Sequence, residues 1–345
     1  MSSPNRDLLA CAPALGLIAV LATVACLPEA AGAWLSGVPE PAIGWDPRAY
    51  VCPLTPSPIE VDGRLTEAGW ASAEWTADFT DIEGEAGPRP RLRTRAKMLW
   101  DERFFYVAAE LKEPDLWATL TERDAVIYHD DDFEVFIDPD GDTHEYYELE
   151  VNALGTEWDL LLLRPYRDGG PAVDAWDIQG LLTGVALEGT LNDPSDTDVG
   201  WTVEIAVPWS VLDDCAHRPC PPEVGDRWRV NFSRVDWDLD VVAGGYAKRT
   251  DPSTGETLPE HNWVWSPQGI VAMHYPEMWG FVQFSGPIVE APRPATYVAP
   301  AAFVAGEHRV VIHLTQGPPR RGRLMDADLE ADVLHIWPLV GEGDA

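Results

Sequence analysis

The stretch HDDDFEVFIDPDGD, residues 129–142, decides how this chain is read. Three aspartates lead into an alternation of apolar and other side chains. The alternation ends in Asp-Pro-Asp-Gly-Asp, a strong turn signal. A second alternation, EYYELEVNA, follows at 145–153. Side chains a period of two apart share one face of a strand. Phe133, Val135 and Ile137 therefore share a core face with Tyr147, Leu149 and Val151. Glu134 and Phe136 share the opposite face with Tyr146, Glu148, Glu150 and Asn152. With the turn centred near Gly141, Glu134 lies across from about Glu148, and Glu150 is one pleat away. Facing Cβ atoms are about 4.5–5.5 Å apart, and like charges there are destabilising. The row needs an offset: arginines, a cation, or a ligand rich in hydroxyl donors. Arg229, on a strand face with Asn231 and Ser233, is the counter-charge the sequence offers. The plain alternative is a solvated acidic face.

The same periodicity extends outward from the hairpin. RTRAKMLW (93–100) and FFYVAAEL (104–111) flank a tight turn, and GWTVEIAVPW, RWRVNFSRV and WGFVQFS read as further strands. Helix is brief: a turn at LTEAGWASA and another at VPWSVLDD. Many short strands with turn punctuation predict an all-β, antiparallel β-sandwich of the jelly-roll type with short helical turns.

The 345-residue chain is long enough for a sizeable core and carries a net charge of −34. That charge repels nucleic acid and anionic membranes, so neutral ligands, cations and basic partners remain. Residues 1–33 read as an export signal, with an uncharged run from Leu8 to Pro28 and small-x-small Ala31-Gly32-Ala33 before Trp34. This predicts a secreted or periplasmic protein. A lipoprotein at Cys26 and an uncleaved membrane anchor are the alternatives. Residues 34–58 read as a Pro-rich N-terminal arm, 59–285 as the sandwich, and 286–345 as a linker-like extension that includes HRVVIHL. Beyond the signal stand Cys52, Cys215 and Cys220. Cys215 and Cys220 bracket a short loop and can pair in an oxidising compartment; pairing of Cys52 with either is equally open.

Motifs for covalent chemistry are missing: neither GxSxG nor HExxH occurs. With 58 acidic residues, some carboxylate pair reaches glycosidase spacing by chance, so that spacing discriminates nothing. No catalytic residues are assigned. Asp138, Asp140 and Asp142 form the candidate metal set, their hard oxygens suiting Ca²⁺, although the turn lacks the EF-hand pattern. A second acidic patch, NDPSDTD at 192–198, is equally ambiguous.

The order IEVDGRLTEAGW, KMLWDERFFYVAAEL, HDDDFEVFIDPDGD with YYELEVNALGTEWD, GWTVEIAVPW, WRVNFSRV and NWVWSPQG…MWGFVQFS resembles the family 9 carbohydrate-binding modules. It is more closely similar to the secreted proteins called carbohydrate-binding family 9-like. The similarity covers roughly residues 59–285. It implies a DOMON-like β-sandwich that binds saccharides without catalysis. In that family some members are appended to xylanases, and calcium supports the loops. The family clamps a sugar between two tryptophans, whose positions fall here on Tyr128 and on Trp263 or Trp265. Its polar contacts fall on Glu134 and Asn152, and the arginine two before that asparagine is Glu150 here. The expected site is therefore Tyr128, Glu134, Glu150, Asn152, Trp263 and Trp265. The expected ligand is a plant-type polysaccharide such as xylan or glucan, with a place in carbohydrate catabolism and association with glycoside hydrolases. Two rival classes are a haem b redox module using Met98 with Met273 or His274, and an envelope module that binds another protein.

Overall fold

A computed structural model describes residues 40–287, together with the backbone of an antiparallel strand pair at Arg323–Asp328 and Val333–Trp337. The expected export signal (1–33) and the HRVVIHL segment lie outside the described residues. The strands of the body, in chain order, are β1 Ala49–Leu54, β2 Thr80–Asp81, β3 Thr94–Trp100, β4 Phe104–Lys112 and β5 Asp132–Asp138. Then come β6 Tyr146–Asn152, β7 Glu157–Leu162, β8 Ala172–Val173, β9 Leu182–Glu188 and β10 Gly200–Pro208. The last are β11 Arg227–Asp236, β12 Leu239–Val242, β13 Gly245–Lys248, β14 His261–Val264 and β15 Gly280–Pro287. The two α-helical turns, α1 Ala68–Ser72 and α2 Trp209–Leu212, fall where the sequence places them.

One hydrogen-bonded path, β8-β7-β6-β5-β11-β15-β1-β3-β4-β10-β9, forms the main sheet, and β14 joins β11 to β2. Alternation supplies the core between its two halves. Phe133, Val135 and Ile137 of β5 and Tyr147, Leu149 and Val151 of β6 share one buried cluster with Met98, Val107, Val203 and Ile205 from the other half. Contacts between rings tie the halves together. Trp209 meets Trp228 edge-on at 5.5 Å, and Phe284 meets Trp100 at 5.7 Å and Phe105 at 5.9 Å. This is the expected sandwich.

Its seam differs from an all-antiparallel plan. β1 runs parallel to β15, from Ala49↔Phe281 onward, and touches β3 at Leu54↔Trp100. The body thus begins about ten residues before the expected boundary at 59, and Cys52, placed in the Pro-rich arm, is wholly buried in the core. Pro53 hid this strand, because proline removes a ladder donor; the register shift falls between Pro53 and Leu54. Cys52, Cys215 and Cys220 are all free thiols.

Several acidic residues that look solvated in the sequence are buried backbone acceptors. Asp130 takes the Thr119 and Leu120 N–H groups at 2.7 and 2.8 Å. Asp131 takes Trp237 N–H at 2.7 Å, and Asp132 Oδ1 takes Val235 N–H at 3.2 Å. On the outer face of β10, Glu204 accepts from Asp62 N–H, Gly63 N–H and the Trp70 indole at 2.9, 2.8 and 2.5 Å. That contact fixes Asp62-Gly63 against the sheet. A Cβ on Gly63 would sit 2.5 Å from the Val185 and Ala186 backbone, and its φ of +83° independently demands glycine.

Candidate functional site

The strands β5, β6 and β7 present a second face, away from the core. Their pairing places Glu134 opposite Glu150, Phe136 opposite Glu148, and Glu150 opposite Trp158. This is one pleat from the expected register. Asp138 explains the shift: its carboxylate accepts from Gly141 N–H at 2.8 Å and Thr143 N–H at 2.9 Å, and it wraps a connection running over 139–145 that is longer than a tight turn.

This second face is not open to solvent. Residues 271–274 and strand β14 help to cover it, leaving a cleft of about 390 Å³. Glu134, Glu148, Glu150 and Glu260 supply its carboxyl groups. Tyr128, Trp158, Tyr166, Phe136 and His274 supply rings, and Asn262 and Leu160 are also in the wall. Glu134, Glu148 and Glu150 are 5, 4 and 2 % exposed, so the row is enclosed and the alternative of a solvated acidic face does not hold. Tyr128 and Tyr166 remain exposed at its rim. Tyr128 lies 6.4 Å from Trp158 with planes tilted by 32°, and Tyr166 lies edge-on to His274 at 4.5 Å.

Among the described residues, no lysine or arginine lines the cleft. Arg229, the expected counter-charge, reaches elsewhere: it donates to Glu277 O at 2.9 Å and stacks on Phe281. Without a counter-charge, burial raises the proton affinity of these carboxyl groups. Burial pushes the Glu134 carboxyl up to about 7. Burial, then the Glu134 charge, hold Glu148 well above the usual carboxylate range. Burial acts likewise on Glu150, followed by Asp132 and Glu134. Desolvation pushes His274 down to about 4. Its Nδ1 is 2.9 Å from the Tyr146 hydroxyl, and its Nε2 is 3.9 Å from Glu148 Oε2. Glu134 Oε2 and Glu148 Oε2 are buried without a hydrogen-bond partner. A buried acceptor left unmatched costs roughly 1–3 kcal/mol, so these two atoms mark where a donor-bearing ligand gains most.

Of the expected site residues, Tyr128, Glu134 and Glu150 come together in the cleft. The others do not. Asn152 is wholly buried at the end of β6: its amide donates to Leu120 O and Asp130, and its oxygen accepts from the Leu154 and Thr156 N–H groups. Trp263 and Trp265 point into the sandwich core, 2 and 1 % exposed. Trp263 stacks with His261 and lies under Arg234, while Trp265 packs on Phe232. The reason is alternation: Asn262, not Trp263, is the β14 side chain that reaches the cleft. The rings missed by sequence reasoning are Trp158 and Tyr166. Trp158 was legible by carrying the pleat one strand further, since it pairs with Glu150.

Asp138, Asp140 and Asp142 do converge, with ligand oxygens within 4.8 Å of one another. Both oxygens of Asp138 hold the turn. Asp140 is spent on Asp142 N–H at 3.1 Å and His217 Nδ1 at 2.8 Å, and Asp142 Oδ1 accepts from His144 N–H at 2.8 Å. Hydrogen bonds within the turn and to His217 thus engage every oxygen named here, and Asp142 Oδ2 is the one they leave. For haem, Met98 lies in the sandwich core while Met273 and His274 line the cleft, in separate clusters. They do not face one another as an axial pair.

Fold and site together define a β-sandwich binding module with its cleft on an outer sheet face. Over residues 61–224 the chain matches the family described as Carbohydrate family 9 binding domain-like. It is 25 % identical over 152 residues to Exoglucanase XynX of Acetivibrio thermocellus, a match covering 44 % of this chain and 12 % of that protein. It is 32 % identical over 88 residues to Endo-1,4-beta-xylanase C of Paenibacillus barcinonensis, covering 26 % of this chain and 7 % of the relative. The matches thus span about a tenth of these relatives' length. A crystal structure of a protein from Bacteroides uniformis, provisionally described as carbohydrate-binding, superposes with a TM-score of 0.50 at 17 % identity. That superposition covers 69 % of this chain and 99 % of that one, and it bears on the fold alone.

Proposed function

We propose that this chain is a non-catalytic saccharide-binding protein whose ligand lies in the cleft between Tyr128, Trp158 and Tyr166. The observation that carries the reading is the pair of unpartnered acceptors, Glu134 Oε2 and Glu148 Oε2, in a ring-walled cleft. Pyranose rings have apolar C–H faces that suit aromatic side chains, and hydroxyls that donate to carboxyl oxygens. The family description and the xylanase and exoglucanase relatives favour a plant-type xylan or glucan ligand and association with glycoside hydrolases. We read the chain as exported, on the strength of residues 1–33. Affinity electrophoresis through gels containing xylan, cellulose derivatives and mixed-linkage glucan tests the ligand class. Retardation on at least one of these polymers is expected; migration unchanged on all of them refutes this ligand class.

A further inference from the structure

We propose that Asp132, Glu134 and Glu150 form a binding site for a calcium-sized divalent cation at the base of the cleft. The described residues contain three groups of acids close enough to share an ion, and each has a different answer to its charge. Asp124, Asp159 and Asp177 surround the Arg123 guanidinium, which pairs with each of them and already occupies the centre of the group. Asp138, Asp140 and Asp142 are consumed by their turn. The third group, Asp132, Glu134 and Glu150, is fully buried. Its ligand oxygens lie within 4.8 Å of one another.

Two of its oxygens, Asp132 Oδ2 and Glu134 Oε2, are buried without a hydrogen-bond partner. The remaining contacts orient the group without neutralising it: Asp132 Oδ1 is held by Val235 N–H and Glu150 Oε2 by Tyr128 N–H at 2.9 Å. Three carboxylates stripped of water are costly unless paired or bound to a metal. Oxygen-only ligands suit Ca²⁺, whose bonds of about 2.3–2.6 Å put oxygens on opposite sides of the ion about 4.6–5.2 Å apart. Burial and mutual repulsion, which hold these carboxyl groups above their ordinary range in the metal-free chain, are the terms a dication reverses. Glu134 and Glu150 also line the cleft, so the ion's open positions face it.

The site is testable without any sugar. The full chain, stripped with EDTA and dialysed, is titrated with CaCl₂ by calorimetry and with Tb³⁺ by sensitised luminescence; Trp158, paired with Glu150, is the antenna. One ion per chain is expected at this site. Asp132→Asn and Glu134→Gln each weaken it by more than about tenfold, because affinity follows the charge of the ligand set, while Asp142→Asn binds as wild type. Circular dichroism verifies folding, and Glu150→Gln serves if either variant does not fold. The proposal is overturned if the stripped chain takes up no calcium, if the Asp132, Glu134 and Glu150 variants bind as wild type, or if binding is lost in Asp142→Asn alone.

Discussion

Glu134 on β5 and Glu204 on β10 occupy equivalent places. Each is mid-strand, each points away from the sandwich core, and each is buried, at 5 and 0 % exposure. Their surroundings differ completely. Glu204 receives three N–H donors and is covered by Trp70 and the Asp62-Gly63 turn. Glu134 faces Glu150 across the ladder, has an oxygen with no partner, and opens on a cleft. Burial of a carboxyl group therefore does not mark a site. What separates a structural acid from a ligand-seeking one is whether the protein itself supplies the donors.

The largest effect is expected at Glu204. Replacement by Ala leaves two backbone N–H groups and the Trp70 indole unmatched, which costs about 3 kcal/mol or more of unfolding free energy. Urea denaturation measures this, and a loss below about 1 kcal/mol would erase the contrast between the faces.

Acid titration comes next. His274 is held down to about 4 while its ordinary value is 6.5, so between these the unfolded chain binds a proton that the folded chain refuses. Stability from this group is present above 6.5 and is lost as pH falls towards 4, by roughly 1–3 kcal/mol. Urea midpoints at pH 7 and pH 5 should show a shallower loss in His274→Gln than in the wild type; equal slopes contradict the burial account.

Glu134 has the opposite sign and a smaller effect. Its folded value of about 7 lies above the ordinary 4.5, so its contribution is present at low pH and is lost as pH rises from about 4.5 to 7. In chelator at pH 8, Glu134→Gln is expected to be as stable as the wild type or more stable by about 1 kcal/mol. A clear destabilisation would make Glu134 structural like Glu204.

Much of the fold was legible because β5 and β6 alternate cleanly. Phe133, Val135 and Ile137 face the core and Glu134, Glu148 and Glu150 the other side, as period two demands. The turn was recognised but not its length, since a side chain that caps its own loop, as Asp138 does, sets the register without altering the pattern. Trp263 and Trp265 were assigned by loop context and family position. The pairing of β14 with β11 and β2, a long-range contact absent from local sequence, turns them inward. Tyr166 follows β7 in a short 3₁₀ turn, 166–168, where no periodicity predicts its direction.

The central claim is that the cleft, and not the Trp263–Trp265 segment, holds the saccharide. Its most direct test is calorimetric titration of Trp158→Ala with soluble xylo- and cello-oligosaccharides beside the wild type, once the polymer screen has identified a retained sugar. Trp158 is only partly buried, so the variant should keep its fold and lose at least about tenfold in affinity, the equivalent of about 1.4 kcal/mol of ring contact. Unchanged affinity in a folded Trp158→Ala protein would place the ligand elsewhere on the molecule.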